Sequence, residues 1–183
     1  GNILDITPGA GASSIYLQNK GFKVTAVQTS QLANKVCKER GLNNSHVLSI
    51  DMIDKLGPEK FDTIIMFGHH LGLFNSIYQS KKLFRNLFQI SNPGAVILAE
   101  NNYSLLANDI DKYEIPDVNH WTQDIPTQLR IRIRFKHFIS EWFSHLIISE
   151  KQLNTILEDT GWFVQEILES EKSNYIGVIE RYD

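Results

Sequence analysis

Residues 2–18 set an apolar strand, a turn without side-chain bulk and the start of a helix in immediate succession, and few folds accommodate that order. Ile3, Leu4 and Ile6 form the strand, with Asp5 near its carboxyl end. Pro8, Gly9, Ala10 and Gly11 make the turn, and Ser13 and Ser14 open the helix. Such a junction exposes main-chain N–H groups at a strand's carboxyl end, where open α/β sheets bind ligands. Glycine there lets a ligand approach the backbone itself.

The alternation continues. Residues 22–28 read as a second strand and 30–40 as a helix ended by Gly41, with a short third strand at 46–50. Residues 61–67 are almost continuously apolar, as expected of a central parallel strand buried on both faces. Ser76 and Gln79 have capping-box spacing before a helix to about Ile90, whose Ile77, Leu83, Leu87 and Ile90 should face the core. Asn92, Pro93 and Gly94 break it, and 95–100 is the fifth strand. This spacing predicts a single α/β domain over 1–183: a doubly wound, Rossmann-like sheet of about seven strands, mostly parallel.

The tail follows other rules. From 129 to 138 the chain alternates strictly, with Leu129, Ile131, Ile133 and Phe135 on one face and Arg130, Arg132, Arg134 and Lys136 on the other. That predicts a half-buried antiparallel strand. Residues 142–148 form another, before a second capping box at Ser149 and Gln152 and a helix to Thr160. Residues 162–169 and 175–181 close the chain as an antiparallel hairpin. Residues 101–128 are long, polar and contain Pro116 and Pro126, as expected of a lid or substrate insertion.

A chain of 183 residues buries a sizeable core. Its net charge of -3 and pI near 6.1 argue against bulk binding to nucleic acid or acidic membranes. The lone Cys37 reads as a small apolar filler, and no signal peptide or bilayer-spanning run appears, so a cytoplasmic protein is expected. The first strand starts almost at residue 1, and an N-terminal segment is expected to be missing or the domain minimal.

Gly9 and Gly11 fit two fingerprints. The dinucleotide pattern G-x-G-x-x-G has Ser14 at its third glycine, against that reading. The other pattern, D-x-G-x-G-x-G, is matched by Asp5, Gly9 and Gly11 and departed from at Thr7. Further features align in order: Ser49 to Met52, Phe61 to Ile65, Asn92 to Leu98, and Thr160 to Trp162. The chain thus resembles a class I S-adenosylmethionine-dependent methyltransferase. Phe67 to Leu73 resembles the G-N-x-L-G-L loop of an uncharacterised bacterial group of them, and Trp142 to Ser149 resembles its W-F-x-x-L-x-x-S segment.

The resemblance implies S-adenosylmethionine as cofactor, S-adenosylhomocysteine as product and a site read position by position. Asp5 and Gly11 belong to the fingerprint; Thr7, Pro8, Gly9 and Ala10 would face the methionine part. Gln28 and Thr29 would lie by the ribose, where the family usually has an acid. Asp51 would accept from the adenine amino group, Met52 would pack on the ring, and Phe67, Gly68 and His69 would complete the methionine side. An acid at position 11 is expected to abolish cofactor binding and leave the fold.

For chemistry, His70 and His69 are the candidate bases, since a neutral imidazole near pH 7 takes a proton from an oxygen or nitrogen nucleophile. The competing reading makes His69 a cofactor contact and His70 an ordering residue. Adjacent histidines also raise a metal, but no third ligand is placed by spacing, so none is expected. Tyr103 and Trp121 are candidate walls of an acceptor pocket. The arginines are either a solvated face or a rim attracting a carboxylate or phosphate. The function expected is in-line methyl transfer to a small-molecule acceptor, an acidic one being an option, without nucleic-acid or membrane partners, with a homodimer as a further option. The alternative is a binding or regulatory domain that has lost turnover.

Overall fold

The computed structural model describes residues 1–74, 76–102, 127–169 and 174–183. Most of the expected 101–128 lid, with Tyr103 and Trp121, lies outside the described residues.

The chain runs β1 (Asn2–Ile6), α1 (Ala12–Asn19), β2 (Lys23–Gln28), α2 (Gln31–Glu39) and β3 (Ser45–Val47). A 3-10 turn (Ile50–Leu56) leads to β4 (Phe61–Met66), a second 3-10 turn (His70–Leu73), α3 (Ile77–Gln89) and β5 (Ser91–Asn102). Then come β6 (Thr127–Ile131), β7 (Arg134–Phe135), β8 (Phe138–Ile139), β9 (Phe143–Ile147), α4 (Glu150–Leu157), β10 (Trp162–Glu169) and β11 (Asn174–Arg181).

Seven strands form one sheet in the order β10-β11-β5-β4-β1-β2-β3. β1 to β5 are parallel, and β11 runs antiparallel to both β5 and β10. The doubly wound sheet with an antiparallel end is therefore present. The chain winds outward through β1, β2 and β3, then returns to place β4 on the other side of β1. That reversal opens a crevice above the carboxyl ends of β1 and β4.

The main core lies on one face: Leu4, Ile6, Ile64, Met66 and Ile97 pack under Leu83, Phe84 and Leu87 of α3 and Leu153, Ile156 and Leu157 of α4. The other face is thinner, with Ile3, Val24 and Ile65 against Leu17, and Ala26 against Cys37 and Leu42. Trp162 is wholly buried, donates its Nε1–H to the Phe84 carbonyl at 2.8 Å and meets Phe88 edge-on. Gly161 before it has φ +86°, and a Cβ there would come within 2.4 Å of the Phe88 ring. The Thr160 to Trp162 motif is thus a packing device.

Three expectations are corrected. Residues 91–94 belong to β5 rather than preceding it: Phe61 pairs with Ser91 and Thr63 with Val96, so an irregularity absorbs the Asn92, Pro93 and Gly94 detour. Asp62 pins it by accepting from Asn92 Nδ2 and the Asn2 amide, each at 2.7 Å. Residues 48–50 leave β3, which ends at Val47. The expected 129–138 strand is broken. β6 pairs with β9 as a separate two-stranded ribbon, and β7 and β8 form its tip. Ile133 and Phe135, expected inside, are 63% and 66% exposed, because no layer covers the tip among the described residues.

Both helix-opening serines act as read. Ser76 and Ser149 accept from the N3 amides of Gln79 and Gln152, and Ser149 with Gln152 forms a full capping box. α4 stops at Leu157, short of Thr160. The edge strand β10 carries a bulge between Val164 and Glu166.

Candidate functional site

The strand ends bring the fingerprint residues to one edge of the sheet. Asp5 is buried in β1, where burial lifts its carboxyl to about 6 against the opposing effect of a hydrogen bond from Ser14 Oγ at 2.5 Å. That bond ties the first turn of α1 to β1. Gly9 has φ +59° and nothing within 4 Å of where a Cβ would stand, so the turn is bare backbone at this point. Gly11, at φ +79°, packs against Cys37, whose Sγ would be 3.1 Å from a Cβ.

Cys37 and Gln28 support this turn from beneath. Cys37 is fully buried with its Sγ 3.3 Å from the Gly9 carbonyl. Gln28, also buried, has its amide turned so that it donates to Gly9 O at 3.3 Å and accepts from Asn34 N–H at 3.1 Å. Arg40 donates to the Ala10 carbonyl from α2. A carboxylate at position 28 would repel that Gly9 carbonyl, so glutamine suits the inward-turned role. Thr29 beyond it is exposed, as are Asp51 and Met52 on the 3-10 turn after β3.

Across the crevice, Phe67 to His70 leave β4. Gly68 and His69 both take left-handed backbone, φ +83° and +64°, which turns the chain sharply back over the sheet. The Gly68 amide donates to Glu100 Oε2 of β5 at 2.6 Å. His70 Nδ1 contacts Thr7 Oγ1, so one side chain bridges the ends of β1 and β4. Burial holds the His70 imidazole below its ordinary value of 6.5 and neutral near pH 7.

The ribbon closes one flank. Gly72 has no room for a side chain, since a Cβ would meet the Leu146 carbonyl at 2.1 Å and His145 Nε2 at 2.6 Å. β9 therefore seats directly on the turn after His70. His145 is buried, and burial first, then neighbouring His69 and His70, push its imidazole down to about 4. Among the described residues, the buried Nδ1 atoms of His69 and His145 have no hydrogen-bond partner. Among the described residues no group of three His, Cys, Asp or Glu is placed to hold a metal.

The structure therefore gathers Asp5, Thr7, Pro8, Gly9, Ala10, Gly11, Gln28, Thr29, Asp51, Met52, Phe67, Gly68, His69 and His70 along the carboxyl edge of neighbouring strands. Tyr103 lies outside the described residues. Sequence reading missed His145, which seemed remote, and Glu100, whose only signal is its place at the carboxyl half of the strand beside β4. It also gave Cys37 too small a part.

A family described as methyltransferase domain matches residues 1–167. The 23S rRNA (uracil(747)-C(5))-methyltransferase of Pyrococcus abyssi is 28% identical over 138 residues, 72% of this chain and 33% of that protein. The tRNA (uracil(54)-C(5))-methyltransferase of Pyrococcus horikoshii is 26% identical over 118 residues, 61% of this chain and 26% of its own. The chain thus spans a third or less of these relatives. A SAM-dependent methyltransferase from Bacteroides fragilis, solved with S-adenosyl-L-homocysteine, superposes with TM-score 0.76 at 24% identity, covering 100% of this chain and 73% of that one. One from Methanosarcina mazei gives 0.74 at 19% identity, covering 99% and 92%. These likenesses show the fold.

Proposed function

The chain belongs to the methyltransferase domain family, whose cofactor is S-adenosylmethionine, and on that premise we propose that it methylates a small-molecule acceptor. The observation that supports this reading is the turn at Gly9, which follows the carboxyl end of β1 at the strand-order reversal and has open space where a side chain would be. A ligand reaching that turn meets main chain rather than side chains.

The residues present fit such a group. Thr7 to Gly11 would hold its methionine part through backbone, with Phe67, Gly68 and His69 opposite. Thr29 would serve the ribose hydroxyls, because the Gln28 amide is engaged beneath the turn. Asp51 and Met52 would serve the adenine. When bound, S-adenosylmethionine supplies a methyl group on a sulfonium, which departs as a thioether keeping the carbon–sulfur electron pair. The chain's own part is to align the acceptor, exclude water and receive the acceptor's proton, with His70 as the neutral base.

Calorimetric titration with S-adenosylmethionine and S-adenosylhomocysteine tests this. Micromolar binding of both at one site per chain is expected. Gly9→Asp should abolish it with the fold kept, because aspartate tolerates left-handed backbone and the space is open. Gly11→Asp is the poorer probe, since its side chain would collide with Cys37. Undiminished binding by Gly9→Asp would move the site elsewhere, and no binding by the intact chain would favour a domain without turnover.

One observation favours a second reading, an RNA acceptor. The ribbon tip exposes Arg132, Arg134 and Lys136 beside Phe135, Phe138 and Trp142, with Arg132 4.7 Å over the Trp142 ring. Cations interleaved with aromatic faces suit single strands, and the two Pyrococcus relatives are named for acting on 23S rRNA and tRNA. Fluorescence anisotropy with a labelled single-stranded RNA separates the readings: salt-sensitive binding lost in Arg132→Ala/Arg134→Ala supports RNA.

A further inference from the structure

We propose that Thr7 is a positioning residue for His70: its hydroxyl fixes the imidazole with the proton on Nδ1 and leaves Nε2 as a free acceptor at the crevice. The inference rests on the methyl-transfer reading for what Nε2 does, though the proton placement does not.

Thr7 has one hydroxyl proton, and its Oγ1 lies 2.6 Å from the Ile6 carbonyl, which can only accept. The proton is therefore spent on Ile6. The same Oγ1 contacts His70 Nδ1, so there it must accept, and Nδ1 must carry hydrogen. A neutral imidazole with hydrogen on Nδ1 has a bare lone pair on Nε2.

The backbone adds an independent observation. Thr7 has φ +60°, a left-handed conformation that a β-branched residue seldom adopts and only at an energetic cost. Glycine, which the fingerprint carries at this position, would avoid that cost and lose the hydroxyl. The strain persists where the side chain has a task, and the contact in view is His70.

The surroundings keep Nε2 usable. The ring lies over Gly68, where a Cβ would be 3.4 Å from Nε2 and 3.3 Å from Cε1, so glycine makes room for it. Among the described residues Nε2 has no hydrogen-bond partner. The groups facing His70 are His69, His145 and Glu100, and the Glu100 carboxylate is engaged by the Gly68 amide. His145 stays neutral by burial and adds no positive charge near pH 7.

The consequence is an acceptor class. As an acceptor hydroxyl, phenol or amine uses its lone pair, the proton it sheds passes to Nε2, giving an imidazolium that later releases it to water. A thiolate or carboxylate acceptor needs no such group. The site is thus built for nucleophiles that arrive protonated.

Two-bond proton–nitrogen correlation NMR on protein labelled at its six histidines reads this directly. His70, assigned by loss of its signals in His70→Gln, should show a protonated Nδ1 and a bare Nε2 at neutral pH. Thr7→Ser should keep that pattern. Thr7→Val and Thr7→Gly should both swap it toward the Nε2–H form, while Thr7→Gly, relieved of strain, melts no lower than the wild type. An Nε2–H pattern in the wild type, or one unmoved in both variants, overturns the proposal. Calorimetry with S-adenosylhomocysteine on the same samples fails separately if the cofactor reading is wrong.

Discussion

β4 and the β6–β9 ribbon are both apolar at alternate or successive positions, yet they end in opposite environments. Ile64, Ile65 and Met66 of β4 are buried because β1 and β5 flank them and helices cover the sheet. The ribbon has two strands, and beyond Ile131 its tip leaves Ile133, Phe135, Phe138 and Ile139 largely exposed. An alternating pattern states that a strand has two unlike faces. It does not state that anything exists to cover the apolar one. What the ribbon does hold in place is His145 and Leu146 at the seat over Gly72.

The largest effect should come from the sheet. Trp162→Ala removes a wholly buried indole and its bond to Phe84, and should cost about 3–5 kcal/mol in denaturant unfolding. A loss under about 1 kcal/mol would mean that the α3–α4 face is not the main core.

The two regions should also answer pH with opposite signs. Asp5 is raised from 3.8 to about 6, so between these values the folded chain binds more protons and stability falls as pH rises. His145 is lowered from 6.5 to about 4, so there the unfolded chain binds more protons and stability rises with pH. The slopes oppose in the intact chain. Asp5→Asn should stabilise by on the order of 2 kcal/mol above pH 6 and leave a net rise with pH. His145→Gln should shift the slope toward a fall with pH, with His70 left as the opposing histidine. Identical pH profiles in wild type and both variants would remove this contrast.

Gly72→Ala sharpens it further. The methyl group meets the Leu146 carbonyl and should lift β9 from its seat at a cost of about 1–3 kcal/mol. Hydrogen exchange should quicken in β6 and β9 and stay unchanged in β4 and β5. Uniform quickening would show one cooperative unit. Smallest of all, Phe135→Ser at the tip should change stability by less than about 0.5 kcal/mol.

Much of the sheet was legible because each strand of the first hundred residues carries its own boundary signals. Ser30, Ser76 and Ser149 mark helix starts that the structure keeps. The backbone turn at Gly9 was legible for the same local reason. What stayed hidden was nonlocal. His145 reaches the crevice only because a ribbon folds back onto Gly72, and no spacing records that approach. The inward turn of Gln28 depends on the Gly9 carbonyl and on the Asn34 amide of the next helix. Thr7 read as a lapse from a glycine pattern until the His70 ring beside it gave its hydroxyl a partner.

The two margins of the sheet bear on how the protein behaves in concentrated solution. An open sheet invites lateral growth wherever a long, flat strand shows unpaired amides and carbonyls. Here one margin is β3, three residues long, and the other is β10, kinked by its bulge and bearing Glu166 and Glu169. Neither offers a neighbouring molecule a straight template. Stacking of sheets edge to edge is thereby discouraged.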